Sequence, residues 1–84
     1  MEVVPAKLAK KITQALTIPT IGIGAGPDCS GQVLVLHDLL GISQGKKPRF
    51  VKDFMQDAKN ISEAVIHYVQ AVKTGQFPGK EHQF

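Results

Sequence analysis

Ile18-Pro19-Thr20-Ile21-Gly22-Ile23-Gly24-Ala25-Gly26-Pro27-Asp28-Cys29-Ser30-Gly31-Gln32-Val33-Leu34-Val35-Leu36-His37-Asp38 holds two short apolar runs joined by a glycine-rich loop, with no helical pattern between them. Each run has the length of a strand buried on both faces. Strands of that kind belong to parallel sheets, which are covered by helices on both sides. Such a sheet needs far more chain than 84 residues supply. The stretch therefore reads as an α/β piece of a larger machine.

Working outward, Pro5 suits the first turn of a helix. Leu8, Ala9, Ile12, Ala15 and Leu16 then form one apolar stripe, with Lys7, Lys10, Lys11 and Gln14 off it. Pro19 stops that helix. The patterns predict a strand over 20–23 and a second over 32–36, with turn-forming residues 27–31 before the second. Residues 39–47 read as loop. Pro48 opens a predicted helix with Phe50, Val51, Phe54 and Met55 on its apolar side. Asn60-Ile61-Ser62-Glu63 reads as a capping box, with Asn60 as cap and Glu63 reaching back. Ile61, Ala64, Val65, Tyr68 and Val72 follow at helical spacing, and Gly75 is a C-terminal stop. The tail Phe77-Pro78-Gly79-Lys80-Glu81-His82-Gln83-Phe84 is too aromatic to be purely solvated, so it is expected to dock. The sequence contains no internal repeat and no low-complexity segment.

Hydrophobic content of 43% and charged content of 20% fit a globular chain. A chain of this size buries only about 60–65% of its unfolded surface and is marginal alone. The net charge of +3 reads as a solvated surface. Nucleic-acid binding would want clustered arginines and exposed aromatics, whereas Arg49 is the only arginine and the lysines are dispersed. No apolar run approaches the roughly 18 residues of a membrane span. Lys7, Lys10 and Lys11 break any signal-peptide pattern. The lone Cys29 cannot staple the fold, which fits a reducing, cytoplasmic compartment.

Gly22-x-Gly24-x-Gly26 suggests a phosphate cradle, but a dinucleotide fingerprint needs G-x-G-x-x-G opening into a helix. Here Gly26 runs into Pro27-Asp28 and another strand, so close backbone packing beside a substrate mouth is the better reading. His37-Asp38 ends the second predicted strand, either as a structural pair or on an active-site face. His67 reads as structural, and His82 carries no assigned role. No pair of histidines has metal-ligand spacing, and Cys29 has no basic neighbour to activate it. Glu2 is either a frayed terminus or, in a longer chain, a carboxylate at the C-terminal mouth of a strand.

Taken together, Glu2-Val3-Val4-Pro5, Ile18-Pro19 through Gly26, Gly31-Gln32-Val33-Leu34-Val35 and the tail Phe77-Pro78-Gly79 with Glu81-His82 and Phe84 resemble the C-terminal third of the ketopantoate (3-methyl-2-oxobutanoate) hydroxymethyltransferases. The resemblance implies a (β/α)8 TIM barrel, of which residues 1–84 are the C-terminal portion of a single domain: the end of strand six, helix six, strands seven and eight, and the closing helices. It implies transfer of a hydroxymethyl group from 5,10-methylenetetrahydrofolate to 3-methyl-2-oxobutanoate, giving 2-dehydropantoate in pantothenate biosynthesis. It further implies a Mg²⁺ whose ligands lie outside this chain, Glu2 as catalytic base, Ile23 and Val35 lining the substrate pocket, and a homo-oligomeric parent. A base at neutral pH profits from burial in an apolar mouth. A complete barrel needs about 250 residues, so the chain alone is expected to be inactive. The rival from another class is a non-catalytic module that self-associates to cover its strand edges.

Overall fold

Pro5 supplies a φ of −51° immediately before helix α1, Ala6–Ala15. The computed structural model describes residues 1–42 and 45–84. Ser43 and Gln44, inside the loop expected over 39–47, lie outside the described residues. The helix buries Ala6 and Ala9 and leaves Leu8 and Leu16 about half exposed. Of the expected stripe, Ala9 is therefore buried, Ile12 half-buried, and Leu8, Ala15 and Leu16 exposed.

Strand β1, Ile21–Gly22, pairs in parallel with β2, Gly31–Gln32, with Ile21 opposite Gly31 and Gly22 opposite Gln32. A third ribbon joins the other edge of β1, because Glu2 pairs in parallel with Ile23. The Val3 amide donates to the Ile23 carbonyl at 2.9 Å, and the Ile23 amide donates to the Met1 carbonyl at 2.9 Å. Parallel neighbours ordinarily need a crossover of a dozen or more residues, usually a helix. Between β1 and β2 the chain manages with residues 23–30 and no helix. Side chains hold the register instead. The Thr20 amide donates to Ser30 Oγ at 3.0 Å and the Ser30 amide donates to Thr20 Oγ1 at 3.2 Å. Thr13 Oγ1 lies 2.8 Å from Thr20 Oγ1, tying α1 to the same point.

Two predicted elements take other forms. The strand expected over 32–36 forms as β2 over Gly31–Gln32, with the Val33 amide donating to the Gly22 carbonyl at 3.0 Å, and Leu36 opens a short helix, α2, Leu36–Leu39. The reason is burial: α2 turns Leu39 and Leu40 into the core, where they meet Phe54, Ala64, Ala71 and Phe77. Val35 becomes the residue before that helix, and His37-Asp38 lies within it rather than at a strand end. The helix expected from Pro48 does not form. The Val51 amide turns back to the Pro48 carbonyl, the Phe54 amide donates to the Leu39 carbonyl at 2.8 Å, and the Met55 amide donates to Asp53 Oδ1 at 2.9 Å. A short acidic side chain that captures a nearby amide competes with helical bonding. Val51 and Phe54 are nevertheless buried.

Helix α3, Ile61–Lys73, forms where its signals place it, with the Asn60 half of the expected capping box but not the return bond from Glu63. Asn60 Oδ1 accepts from the Glu63 amide at 2.8 Å, so the cap forms. The Glu63 carboxylate points along the helix to His67 Nε2, 3.9 Å away. At the other end Gly75 has φ +78°, the Gly75 amide donates to the Val72 carbonyl and the Gln76 amide to the Ala71 carbonyl, which is the Schellman arrangement. The tail docks as expected: Phe77 is buried edge-on against Phe54, and a single 3₁₀ turn, Lys80–His82, follows.

Phe54, Tyr68 and Phe77 form the aromatic centre, with centroids 5.4 to 6.0 Å apart. Such pairs contribute about 0.5–1.5 kcal/mol each beyond area burial. The Tyr68 hydroxyl is buried there without a hydrogen-bond partner among the described residues, and burial raises its pKa. Among the described residues no large side chain is completely buried, while Ile21, Val33 and Val35 on the sheet side are roughly half exposed. In urea unfolding, Tyr68→Phe is expected to match or exceed the parent stability, by up to about 1–2 kcal/mol, since it removes an unsatisfied group. Asn60→Ala is expected to lose about 1 kcal/mol with its cap.

Candidate active site

The end of the parallel ladder brings Glu2 and Ile23 side by side. Directly paired residues of neighbouring parallel strands present side chains to the same face, so Glu2 and Ile23 share one. Ile21 lies two residues back and belongs to that face too. The face is open: Glu2 and Ile21 are exposed and Ile23 is half-buried. Val35 stands beyond the paired segment, about half exposed, in an extended conformation that leads into α2. The apolar burial expected around Glu2 is therefore not supplied by these residues. Val3, next to Glu2, has φ +50°. For a β-branched residue that is a strained conformation, held here by the Val3 amide bond to Ile23.

The glycine loop after β1 is packed tightly, as its sequence suggests. A Cβ placed on Gly26, whose φ is +80°, would lie 2.6 Å from Ala6 Cβ and 3.1 Å from Ala6 Cα. Gln32 Nε2 donates to the Gly26 carbonyl at 2.8 Å, so the second ribbon props the same loop. The loop is a wedge between the start of α1 and the sheet, the close backbone packing that the sequence suggests. The sequence reading missed the Thr20–Ser30 brace and the part Gln32 plays. Their polar side chains beside the strands were the available signal.

His82 is buried, with its ring 5.0 Å from that of Phe77, and its Nδ1 accepts from the Gly79 amide at 3.0 Å. That bond needs the neutral ring. Burial lowers the His82 pKa, Glu81 opposes this, and Lys52 and Lys47 reinforce it. Because the unfolded chain then binds the proton more tightly, the stabilising contribution is complete above the unfolded value of about 6.5 and is lost as pH falls below it.

A cavity of about 410 Å³ lies elsewhere, lined by residues that include Asp38, Lys46, Lys47 and Asp53. Neither Glu2, Ile23 nor Val35 lines it. Among the described residues no group of three or more His, Cys, Asp or Glu could hold a metal ion. No helix among them is long and apolar enough to cross a membrane.

These features define an α/β segment with a carboxylate at the end of a parallel ladder. The family model of ketopantoate hydroxymethyltransferase matches residues 1–80. The chain is 67% identical over its whole length to 3-methyl-2-oxobutanoate hydroxymethyltransferase of Burkholderia multivorans, covering 31% of that protein. It is 66% identical to the enzymes of the same name from Nitrosospira multiformis and Nitrosomonas eutropha, covering 32% and 31% of them. The chain belongs to the ketopantoate hydroxymethyltransferase family, and it spans about a third of the length of the curated relatives it matches.

Two outcomes test this geometry. Gly26→Ala is expected to destabilise by about 3 kcal/mol, from overpacking plus a left-handed backbone. Between roughly pH 7.5 and 5.5, across the ordinary histidine pKa, the urea midpoint should fall. His82→Asn should flatten that dependence.

Proposed function

We propose that residues 1–84 are the C-terminal part of a (β/α)8 barrel enzyme, with 1–3 ending strand six, α1 as helix six, β1 and β2 as strands seven and eight, and the rest closing the domain. The complete enzyme transfers the one-carbon unit of 5,10-methylenetetrahydrofolate to 3-methyl-2-oxobutanoate. With one water consumed, the products are tetrahydrofolate and 2-dehydropantoate, a step of pantothenate synthesis in the cytoplasm. The observation that carries the reading is the parallel pairing of Glu2 with Ile23, in a chain 67% identical to an enzyme of that name. It sets a carboxylate at a strand end beside an apolar side chain, and strand ends are where barrel enzymes keep their active sites.

In this reading Glu2 removes the C3 proton of the oxo acid; water frees the one-carbon unit from both folate nitrogens at the formaldehyde level, giving tetrahydrofolate, and the enolate carbon adds to that unit, whose oxygen takes up a proton to become the hydroxyl of the product. Ile23 and Val35 supply apolar walls. Glu2 is exposed here, so the cover that a base at neutral pH needs falls to the remainder of the barrel. The described residues do not fit a Mg²⁺ site, and its ligands fall to the remainder as well, so no step of this chain is routed through the metal. The exposed Ile21, Val33 and Val35 are then surface that the earlier strands would cover. A homo-oligomeric assembly of the complete enzyme is part of the proposal.

The isolated chain is expected to show no turnover. In a chimera whose last third is this chain and whose remainder comes from the Burkholderia multivorans enzyme, Glu2→Gln should bind the oxo acid normally. Its turnover should fall about 10²- to 10⁴-fold. Unchanged turnover would remove Glu2 from the base role.

A further inference from the structure

Glu2 sits on a short ribbon with a strained neighbour, and something must hold that ribbon in place. Toward the sheet, the Val3 and Ile23 bonds do so. On the other side, the Ala6 amide at the start of α1 donates to the backbone oxygen of Phe84 at 3.3 Å, which ties the far end of the chain to the turn just after Glu2. The Phe84 ring lies under the Arg49 guanidinium, 5.0 Å from the ring centre, and Arg49 Nη1 donates to the Gln83 carbonyl at 3.3 Å. Phe50 lies 6.5 Å from Phe84, ring to ring. Phe50 in turn fills the space where Gly24, the residue after Ile23, would carry a Cβ, at 3.0 to 3.1 Å. Gln83 approaches Gly26 in the same way, at 4.0 Å.

These contacts close a ring: Glu2 to Ile23 across the ladder, Gly24 to Phe50, Phe50 to Phe84, and Phe84 back to Ala6. We propose that the C-terminal tail is a clamp on the candidate active site, with Phe84 as a positioning residue that acts through Glu2. This deepens the reading of Glu2 as the base and rests on it. The physical basis is that proton abstraction depends steeply on placement, and a misplacement of about 1 Å can lower a rate about a hundredfold. Arg49 and Phe50 hold the Phe84 ring, and the Gly79–His82 bond sets the turn that delivers it.

The test uses the chimera described above and follows exchange of the C3 proton of 3-methyl-2-oxobutanoate for solvent deuterium by NMR, alongside the dissociation constant for the oxo acid. Phe84→Ala is expected to slow exchange about ten- to a hundredfold while the dissociation constant stays within about twofold, and Phe84→Leu should recover most of the rate. In the Glu2→Gln background, Phe84→Ala should change the residual rate by less than about twofold, since two residues acting through one group are not additive. An equal loss in both backgrounds overturns the clamp and leaves Glu2 as base. Full exchange in Phe84→Ala does the same. Full exchange in Glu2→Gln overturns the base reading, and the clamp with it. Should the Phe84→Ala chimera fail to fold by circular dichroism, Arg49→Ala replaces it, with the same outcomes read the same way.

Discussion

A pair of parallel strands joined without a helix is the constraint on which this structure depends. The joining segment is too short to bring a helix back over the sheet, so ordinary crossover packing cannot set the register. Thr20 and Ser30 set it by exchanging amide-to-hydroxyl bonds just before the paired residues, and Thr13 carries the same point into α1. With β2 fixed against β1, the opposite edge of β1 is left to Met1–Val3, and Glu2 falls opposite Ile23. The glycine wedge then keeps α1 close to the strand ends. Every feature of the candidate site follows from that register.

The register also leaves a large debt of unburied surface. Ile18, Ile21, Val33, Val35 and Leu36 are all between about half and two-thirds exposed, although their sequence pattern is that of buried strands. The hydrophobic core gathers at the aromatic centre under α3, and there the Tyr68 hydroxyl lacks a partner among the described residues. A chain matching about a third of its relatives' length and carrying an uncovered sheet is accounted for if the remaining strands supply the cover.

Local signals with a direct mechanism were legible in the sequence. Pro5 and the Leu8–Ile12–Leu16 spacing placed α1, and Asn60 and Gly75 placed both ends of α3. The apolar run 33–36 was not legible as helix or strand, because a short fully apolar run has no period to read. Packing of Leu39 and Leu40 decided it. The 48–55 segment failed for a different reason: Asp53 and the Leu39 carbonyl captured the amide bonds that a helix would have used. Of the site, the glycine wedge could be read from its residues alone. Glu2 could be read as a strand-end carboxylate only by supposing a longer chain, and its role as base came only through the family resemblance, since nothing local marks it. The link from Phe84 to Ala6 spans nearly the whole chain, and no local pattern could foretell it.

The central claim is that these residues complete an active site built mostly from other strands. Its most direct measurement is hydroxymethyl transfer by two separate chains co-expressed in one cell: this chain, and the Burkholderia multivorans enzyme lacking its matching third. Restored turnover that disappears with Glu2→Gln is the expected result. A well-defined oligomer of this chain that ignores the other piece and restores no turnover would contradict the account and favour a self-associating module.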